Sequence, residues 1–367
     1  MELKRFATPR KLQKPSPRRG SAVSATQIGH RIRTAGVTVL DPHGHPLSRH
    51  DVVVEQRAHA FAFGNSGFEL VPMTDEETGP DPAMAALWLD IFNTATLPFY
   101  RETSEPGRGR PGSNRLRRAA EWFAAHGCRV RGHPLVWRTL TAGERGRPAS
   151  ARLAVTAAGP EVTLLLNDFD VTPAQESLIE SVLEAEVPVD ALGLQCHMHR
   201  GYCGEERTLA ILGRFARFGL PIHITETTLL SGDPAPPRNY RPPWWPSTPE
   251  GEQRQADEIV RHYRTLLSHP SVQAITYWGL SDNDSRLGAP CGLIRADGTP
   301  KPAYAALRGL VKGEWWLPPT TVRTDAAGHI EVRGFPGDYR LSDGARTASV
   351  TVTDTRSEAT LRLNDTA

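Results

Sequence analysis

The segment PIHITE, Pro221 to Glu226, ends on the most informative residue of this chain. It is a short apolar run that begins with proline, is rich in isoleucine and ends on a single carboxylate. Runs of this kind are typical of buried strands in a parallel sheet. In α/β barrels the chemistry lies at the carboxyl ends of such strands. PIHITE therefore predicts a buried parallel strand with Glu226 at its functional end. A glutamate that caps the following turn is the alternative.

The sequence around this segment alternates between strand and helix. The runs VTLLLN, ALGLQ, PIHITE and AITYWGL predict strands, and amphipathic stretches such as TPAQESLIESVLEAE predict the helices between them. This order is typical of an α/β fold with a parallel sheet over residues 57–314. Two β-rich parts flank it: a predicted hairpin at 31–56, and a small β unit at 315–367 that is expected to pack with the hairpin.

Composition and charge exclude several classes of protein. The chain has 367 residues, 39% of them hydrophobic, and a net charge of +2, so we expect a sizeable core and no nucleic-acid partner. The basic, proline-containing stretch 1–30 predicts a disordered tail. We expect no membrane span and see no signal peptide. The location is therefore expected to be cytoplasmic, or extracellular if the start is mis-assigned.

Polar side chains cluster where five predicted strands end. Amide, imidazole, carboxylate and indole groups of this kind suit a polyhydroxylated substrate, because they bind hydroxyls and stack on sugar rings. For any single residue, a satisfied core group is the simpler reading. The cluster consists of His133, Trp137, Asn167, Asp168, Gln195, His197, His199, Glu226, Trp278 and Asp282.

Two other chemistries compete locally. Cys196, His197, His199 and Cys203 contain metal-ligating groups, but their spacing is unlike that of zinc sites, and alternate strand residues point to opposite faces. A nucleophilic cysteine is the second alternative, although no strand-to-helix nucleophile elbow surrounds a cysteine. We therefore expect neither a metal nor a cofactor.

The strand-end motifs resemble glycoside hydrolase family 10, the xylanase family. The segments that carry the resemblance, within about residues 55–312, are RGHPLVW, LLLNDFD, LGLQCHMH, HITET and ITYWGLSD. The resemblance implies a (β/α)8 barrel of the triosephosphate isomerase (TIM) type that hydrolyses β-1,4-xylan with retention. It implies Glu226 as the nucleophile. It also implies sugar contacts from His133, Trp137, Gln195, His197 and Trp278.

The sequence departs from the family at the fourth strand. Family members carry an Asn-Glu pair there, and that Glu is the general acid/base. Only about thirty residues separate Trp137 from Asp168, room for one loop and one helix at most. The resemblance therefore implies a barrel that lacks about one β/α unit and its acid/base. Asp168, Glu144 and Glu161 are weak candidates for a replacement acid.

The expected function is a retaining endo-1,4-β-xylanase-like hydrolase of impaired activity, a monomer that acts on xylan or xylo-oligosaccharides. A catalytically silent barrel that binds these saccharides is the alternative. A gene-model error around residues 137–165 is a third reading, under which the natural protein is an ordinary enzyme.

Overall fold

A computed structural model describes residues 25–71, 79–99, 113–134, 162–234, 245–283, 288–353 and 358–365. These residues form a parallel barrel sheet wrapped by helices, and a β-sandwich to which both ends of the described chain contribute. Among them, no helix is both long and apolar enough to cross a membrane.

The barrel sheet has seven parallel strands and confirms the predicted α/β barrel class that lacks a unit. The sheet order is β5-β4-β3-β9-β8-β7-β6, so the first and last strands of the barrel pair with each other. Within the described residues, β5 pairs only with β4, and β6 only with β7. The barrel wall is therefore open between β5 and β6 in this part of the chain. The strands are β3 (Ala62–Ser66), β4 (Thr94–Pro98), β5 (Arg129–His133), β6 (Leu165–Asp168), β7 (Ala191–Met198), β8 (Ile222–Leu229) and β9 (Val272–Tyr277).

Helices connect these strands and cover their outer faces. Helix α5 begins where the Thr248 side chain accepts a hydrogen bond from the Gly251 amide, and Pro249 occupies the first turn, where it costs no backbone bond. The core between helices and sheet contains fully buried side chains such as Ile224, Ile275 and Leu266. The helices are α1 (Pro82–Ile91), α2 (Ser113–Ala125), α3 (Pro173–Glu184), α4 (Glu205–Ala216), α5 (Pro249–Ser268) and α6 (Pro302–Gly309). Short 3-10 turns lie at Ala25–Arg31 and Phe68–Leu70, and a π turn, Leu310–Glu314, follows α6.

The sandwich corrects the predicted hairpin at 31–56. Strand β1 (Arg33–Leu40) lies in a three-stranded sheet, and β2 (Asp51–His59) lies in the opposite five-stranded sheet. Both strands alternate between buried and partly exposed residues, so each has one apolar face, and the two faces meet across the sandwich core instead of lying side by side. The remaining strands are β10 (Thr320–Arg323), β11 (His329–Gly334), β12 (Gly337–Ser342), β13 (Arg346–Val352), β14 (Glu358–Arg362) and β15 (Asn364–Asp365).

The sandwich packs on the amino-terminal end of the barrel. The His59 ring nitrogen Nε2 lies 2.9 Å from the Val311 carbonyl oxygen. Phe63 stacks on Trp315 with ring centroids 5.8 Å apart, and Trp315 is fully buried. These contacts lie at the opposite end of the strands from Glu226, so the sandwich supports the barrel without reaching the polar cluster.

Candidate active site

A β-bulge places Glu226 at the mouth of the barrel. Along the β7–β8 ladder, Leu194 pairs with Ile224 and Gln195 with Glu226, so Thr225 is the extra residue on β8. Simple alternation would turn the side chains of Thr225 and Glu226 to opposite faces, and a bulge re-aims one of them. Thr225 bonds inward to Asn167 at 2.6 Å, and Glu226 also faces the interior. The bulge is the local reason that this carboxylate enters the site.

Two imidazoles hold the Glu226 carboxylate, which is only 2% exposed. His133 Nε2 lies 3.2 Å from Oε1, and His197 Nε2 lies 2.8 Å from Oε2. Burial lowers the pKa of His133, opposed by the charge of Glu226, so the imidazole that contacts the carboxylate is neutral at neutral pH. Each carboxylate oxygen therefore has one imidazole partner.

The second ring nitrogen of His197, Nδ1, contacts a hydroxyl group. Nδ1 lies 3.3 Å from the Thr228 hydroxyl, which also accepts the Met198 amide at 3.3 Å. Because the Thr228 oxygen already accepts from the Met198 amide, its own hydrogen can point toward Nδ1. Nδ1 then accepts from that hydroxyl, and Nε2 donates to Glu226. Thr228 was not among the residues selected from the sequence, although its position two residues after Glu226 on the same strand is the available signal.

Aromatic rings border this cluster. Trp278 follows β9 and is half-buried; its ring centroid lies 5.7 Å from that of His133 and 6.4 Å from that of His197, edge to face in both cases. Phe68, which the sequence did not indicate, packs edge-on against Trp278 at 5.3 Å. His199 stacks parallel to His197 at 5.4 Å. An indole beside a carboxylate suits a sugar ring, whose C–H face stacks on the aromatic face.

Close backbone approach explains two glycines next to the site. A Cβ on Gly132 would lie 2.2 Å from the Phe99 ring, and one on Gly193 would lie 2.7 Å from Asn167 Oδ1. Gly132 immediately precedes His133, so the bare backbone lets the Phe99 ring lie against β5 at this point. Gly193 leaves room inside the barrel for the Asn167–Thr225 pair.

Asp168 and Asp282, the other carboxylates of the predicted cluster, make different contacts. Asp168 Oδ1 accepts the backbone amides of Phe169 and Asp170 at 2.7 and 3.0 Å, the geometry of a local turn. Asp282 pairs at 2.7 Å with Lys301, whose side chain is fully buried. Both carboxylates therefore have structural partners.

The remaining predicted site residues divide into two groups. Gln195 is 7% exposed and lies beside Glu226 in the ladder. Trp137, Glu144 and Glu161 lie outside the residues that the structure describes. The four residues of the zinc alternative do not converge in the structure, because Cys196 and Cys203 pack against the core between sheet and helices while His197 faces Glu226. Burial also raises the pKa of Cys196 to about 12, which disfavours a thiolate there.

Comparisons with known proteins concern first the fold and then the family. The fold matches the crystal structure of xylanase 10B from Thermotoga petrophila in complex with xylobiose, with a TM-score of 0.55, 21% sequence identity, and coverage of 69% of this chain and 94% of that one. At this identity the match shows the fold alone, a TIM-type barrel. Residues 149–309, somewhat less than half of the chain, match the model of Glycosyl hydrolase family 10, and this match supports assignment of the barrel to that family.

Two curated relatives of similar sequence identity carry different functional names. Endo-1,4-beta-xylanase B of Thermotoga neapolitana is 29% identical over 167 residues, 42% of this chain and 45% of that protein. Anti-sigma-I factor RsgI6 of Acetivibrio thermocellus is 28% identical over 167 residues, 45% of this chain and 19% of that protein. The chain thus spans less than half the length of either relative. His133 also precedes the part that matches the family model.

Proposed function

We propose that this barrel is a retaining, endo-1,4-β-xylanase-type glycoside hydrolase in which Glu226 is the nucleophile and xylan turnover is slow. The observation that carries the proposal is the Glu226 carboxylate itself, buried at a strand end, held by His133 and His197, and bordered by the Trp278 indole. The family match and the xylanases among the relatives support the reaction class.

The chemistry separates two steps by their need for an acid. In the first, a Glu226 oxygen attacks the anomeric carbon while the leaving group departs with the electron pair of the broken C–O bond. In the second, water attacks that carbon and displaces the carboxylate. Retaining enzymes place a second carboxyl group about 5–5.5 Å away, which protonates the leaving oxygen and later deprotonates the water.

The two other carboxylates of the predicted cluster are not placed to act as the second carboxyl group. Asp168 is bonded within its own turn and Asp282 to Lys301. General acid/base catalysis contributes about 10²–10⁴-fold, and the loss matters most for a sugar leaving group. We therefore expect slow cleavage of xylan but ready glycosylation of Glu226 by an aryl xyloside with a good leaving group.

Mass spectrometry of the intact protein tests the proposal. Incubation with a dinitrophenyl xyloside is expected to add one xylosyl group, which peptide mapping locates on Glu226, and azide is expected to speed its release because azide needs no general base. Glu226→Gln should abolish labelling, since loss of a covalent nucleophile costs on the order of 10⁴–10⁶ in rate. Glu180→Gln, at an exposed carboxylate on α3, is the matched control and should label normally.

The rate of xylan turnover then shows whether a general acid is present. Ordinary turnover with a bell-shaped pH profile would overturn the claim of slow cleavage. In that case Asp168→Asn, Glu144→Gln and Glu161→Gln identify the acid, as the variant that loses xylan cleavage but keeps labelling by the aryl xyloside.

A silent saccharide-binding barrel is the second candidate. The observation that favours it is that one relative, RsgI6, is named as an anti-sigma factor. Under this reading no label forms on Glu226, and xylo-oligosaccharides bind with an affinity that Trp278→Ala lowers. Calorimetry with xylopentaose measures this, and absence of both binding and labelling contradicts both candidates.

A further inference from the structure

One side chain crosses the interior of the open barrel. Arg131 lies on β5, two residues before His133, and therefore on the same face of that strand. Its Nη1 donates to the Thr276 hydroxyl on β9 at 3.2 Å. Its Nη2 lies 3.1 Å from Nδ1 of His223 on β8. Arginine only donates hydrogen bonds, so His223 accepts at Nδ1.

The neighbouring residues leave space for this crossing. A Cβ on Gly64 would lie 2.9 Å from the Thr276 hydroxyl and 3.1 Å from the Thr94 carbonyl oxygen. Glycine at this point of β3 therefore keeps the interior open where the Arg131 fork meets Thr276. The groups around the Arg131 side chain come from β3, β4, β8 and β9. Its hydrogen bonds therefore depend on the continuous part of the sheet, from β4 to β8.

Strand β5 has a particular need of such a contact. In the described part of the chain it pairs through a ladder only with β4, and its Val130 is 38% exposed. Yet β5 carries His133, which must lie within hydrogen-bond distance of Glu226 on β8. In a closed barrel a second ladder would fix the position of this strand. Here the Arg131 fork makes the connection to β8 and β9 through the interior.

Arg131 brings a charge to this contact. Burial lowers the pKa of Arg131 to about 10, with Arg129 adding to the shift and Glu226 opposing it, so the guanidinium is charged at neutral pH. Burial lowers the pKa of His223 to about 4, and Arg131 and Arg129 add to this. His223 is therefore a neutral acceptor for the charged guanidinium.

We propose that Arg131 is a positioning residue: it ties strand β5 to β8 and β9 across the barrel interior and so holds His133 beside Glu226. The tie does not rest on the proposed nucleophile, and it does not need Arg131 to touch substrate.

Hydrogen exchange and NMR test the tie without reference to activity. In Arg131→Met, the β5 amides are expected to exchange at least about ten-fold faster. The pKa of His223, read from its ring ¹⁵N shifts, is expected to rise from about 4 toward 6.5, because a neighbouring cation is lost. Arg129→Met is the matched control: Arg129 lies on the same strand but is exposed, so its β5 exchange should stay within about two-fold.

Arg131→Lys separates the fork from the charge. It keeps a cation but not the planar fork that joins Thr276 and His223, so it should speed β5 exchange while the pKa of His223 stays low. It also provides the test if Arg131→Met does not fold.

Unchanged β5 exchange in both Arg131 variants, together with an unchanged pKa of His223 in Arg131→Met, would overturn the tie. If the wild-type protein forms no glycosyl-enzyme, the proposed function fails, while exchange and NMR still decide the tie.

Discussion

Strands β8 and β5 both contribute a side chain to the Glu226 cluster, but the sheet holds them differently. β8 has ladders to β7 and to β9, and Ile222, Ile224 and Leu229 on it are fully buried. Within the described residues, β5 has one ladder, and its Val130 is 38% exposed. The proposed nucleophile thus lies on the firmly held wall, and the histidine opposite lies on an edge.

The two strands also differ in what a missing unit would affect. A carboxylate at a fixed position needs a firmly held strand, and β8 supplies it with two ladders and a bulge. In the described part of the chain no ladder joins β5 to β6. A unit missing between them would leave both ladders of β8 in place, so the proposed nucleophile would keep its position.

Core truncation gives the largest expected difference between the two strands. Ile224→Ala should lower the free energy of unfolding by about 2–5 kcal/mol, because it leaves a cavity at a fully buried position. Val130→Ala should cost less, at most about 1 kcal/mol, since the residue is partly in solvent, at 38% exposure. Urea denaturation of both variants measures this. An equal cost would mean that the β5 edge is covered in solution.

Low pH is expected to lower the free energy of unfolding, because two histidines are buried in the neutral form. Burial lowers the pKa of His262 on α5, which contacts Thr227 of β8, to about 3, and that of His59 to about 4. Both values lie below the ordinary 6.5, so the unfolded chain takes up protons first. Stability is then full above about pH 6.5 and falls as the pH drops toward 4, by on the order of 3 kcal/mol for each histidine.

Urea midpoints at pH 7 and pH 4.5 measure this acid effect. His262→Gln should reduce the drop by its share. A drop that is unchanged in His262→Gln would contradict the assignment to buried neutral histidines.

The sequence predicted the alternating α/β order and Glu226 at a strand end because both are local patterns. Apolar runs such as PIHITE mark buried strands, and polar residues after them mark the carboxyl edge. These features needed no knowledge of which strands are neighbours, and the structure has Glu226, His133 and His197 in contact.

Features that depend on partners escaped prediction. Alternation in β1 and β2 shows that each has one buried face, but not that the faces belong to opposite sheets. The extra residue Thr225 is visible only against the register of β7. Arg131 was part of a quoted motif, yet its role follows from β8 and β9 lying across the barrel from β5.

A single hydrogen bond gives the smallest effect and tests the other edge strand. Thr225 Oγ1 donates to Asn167 Oδ1 at 2.6 Å, which joins β8 to the edge strand β6 past Gly193 of β7. Thr225→Val keeps the shape but removes the donor and should cost about 0.5–1.5 kcal/mol. Thr225→Ser keeps the hydroxyl and is the matched control. Because β6 has one ladder in the described chain, its amides should exchange faster in the valine variant while those of β9 do not change. Equal acceleration in β6 and β9 would mean that the bond stabilises the barrel as a whole, and the contrast between edge and wall would then not extend to β6.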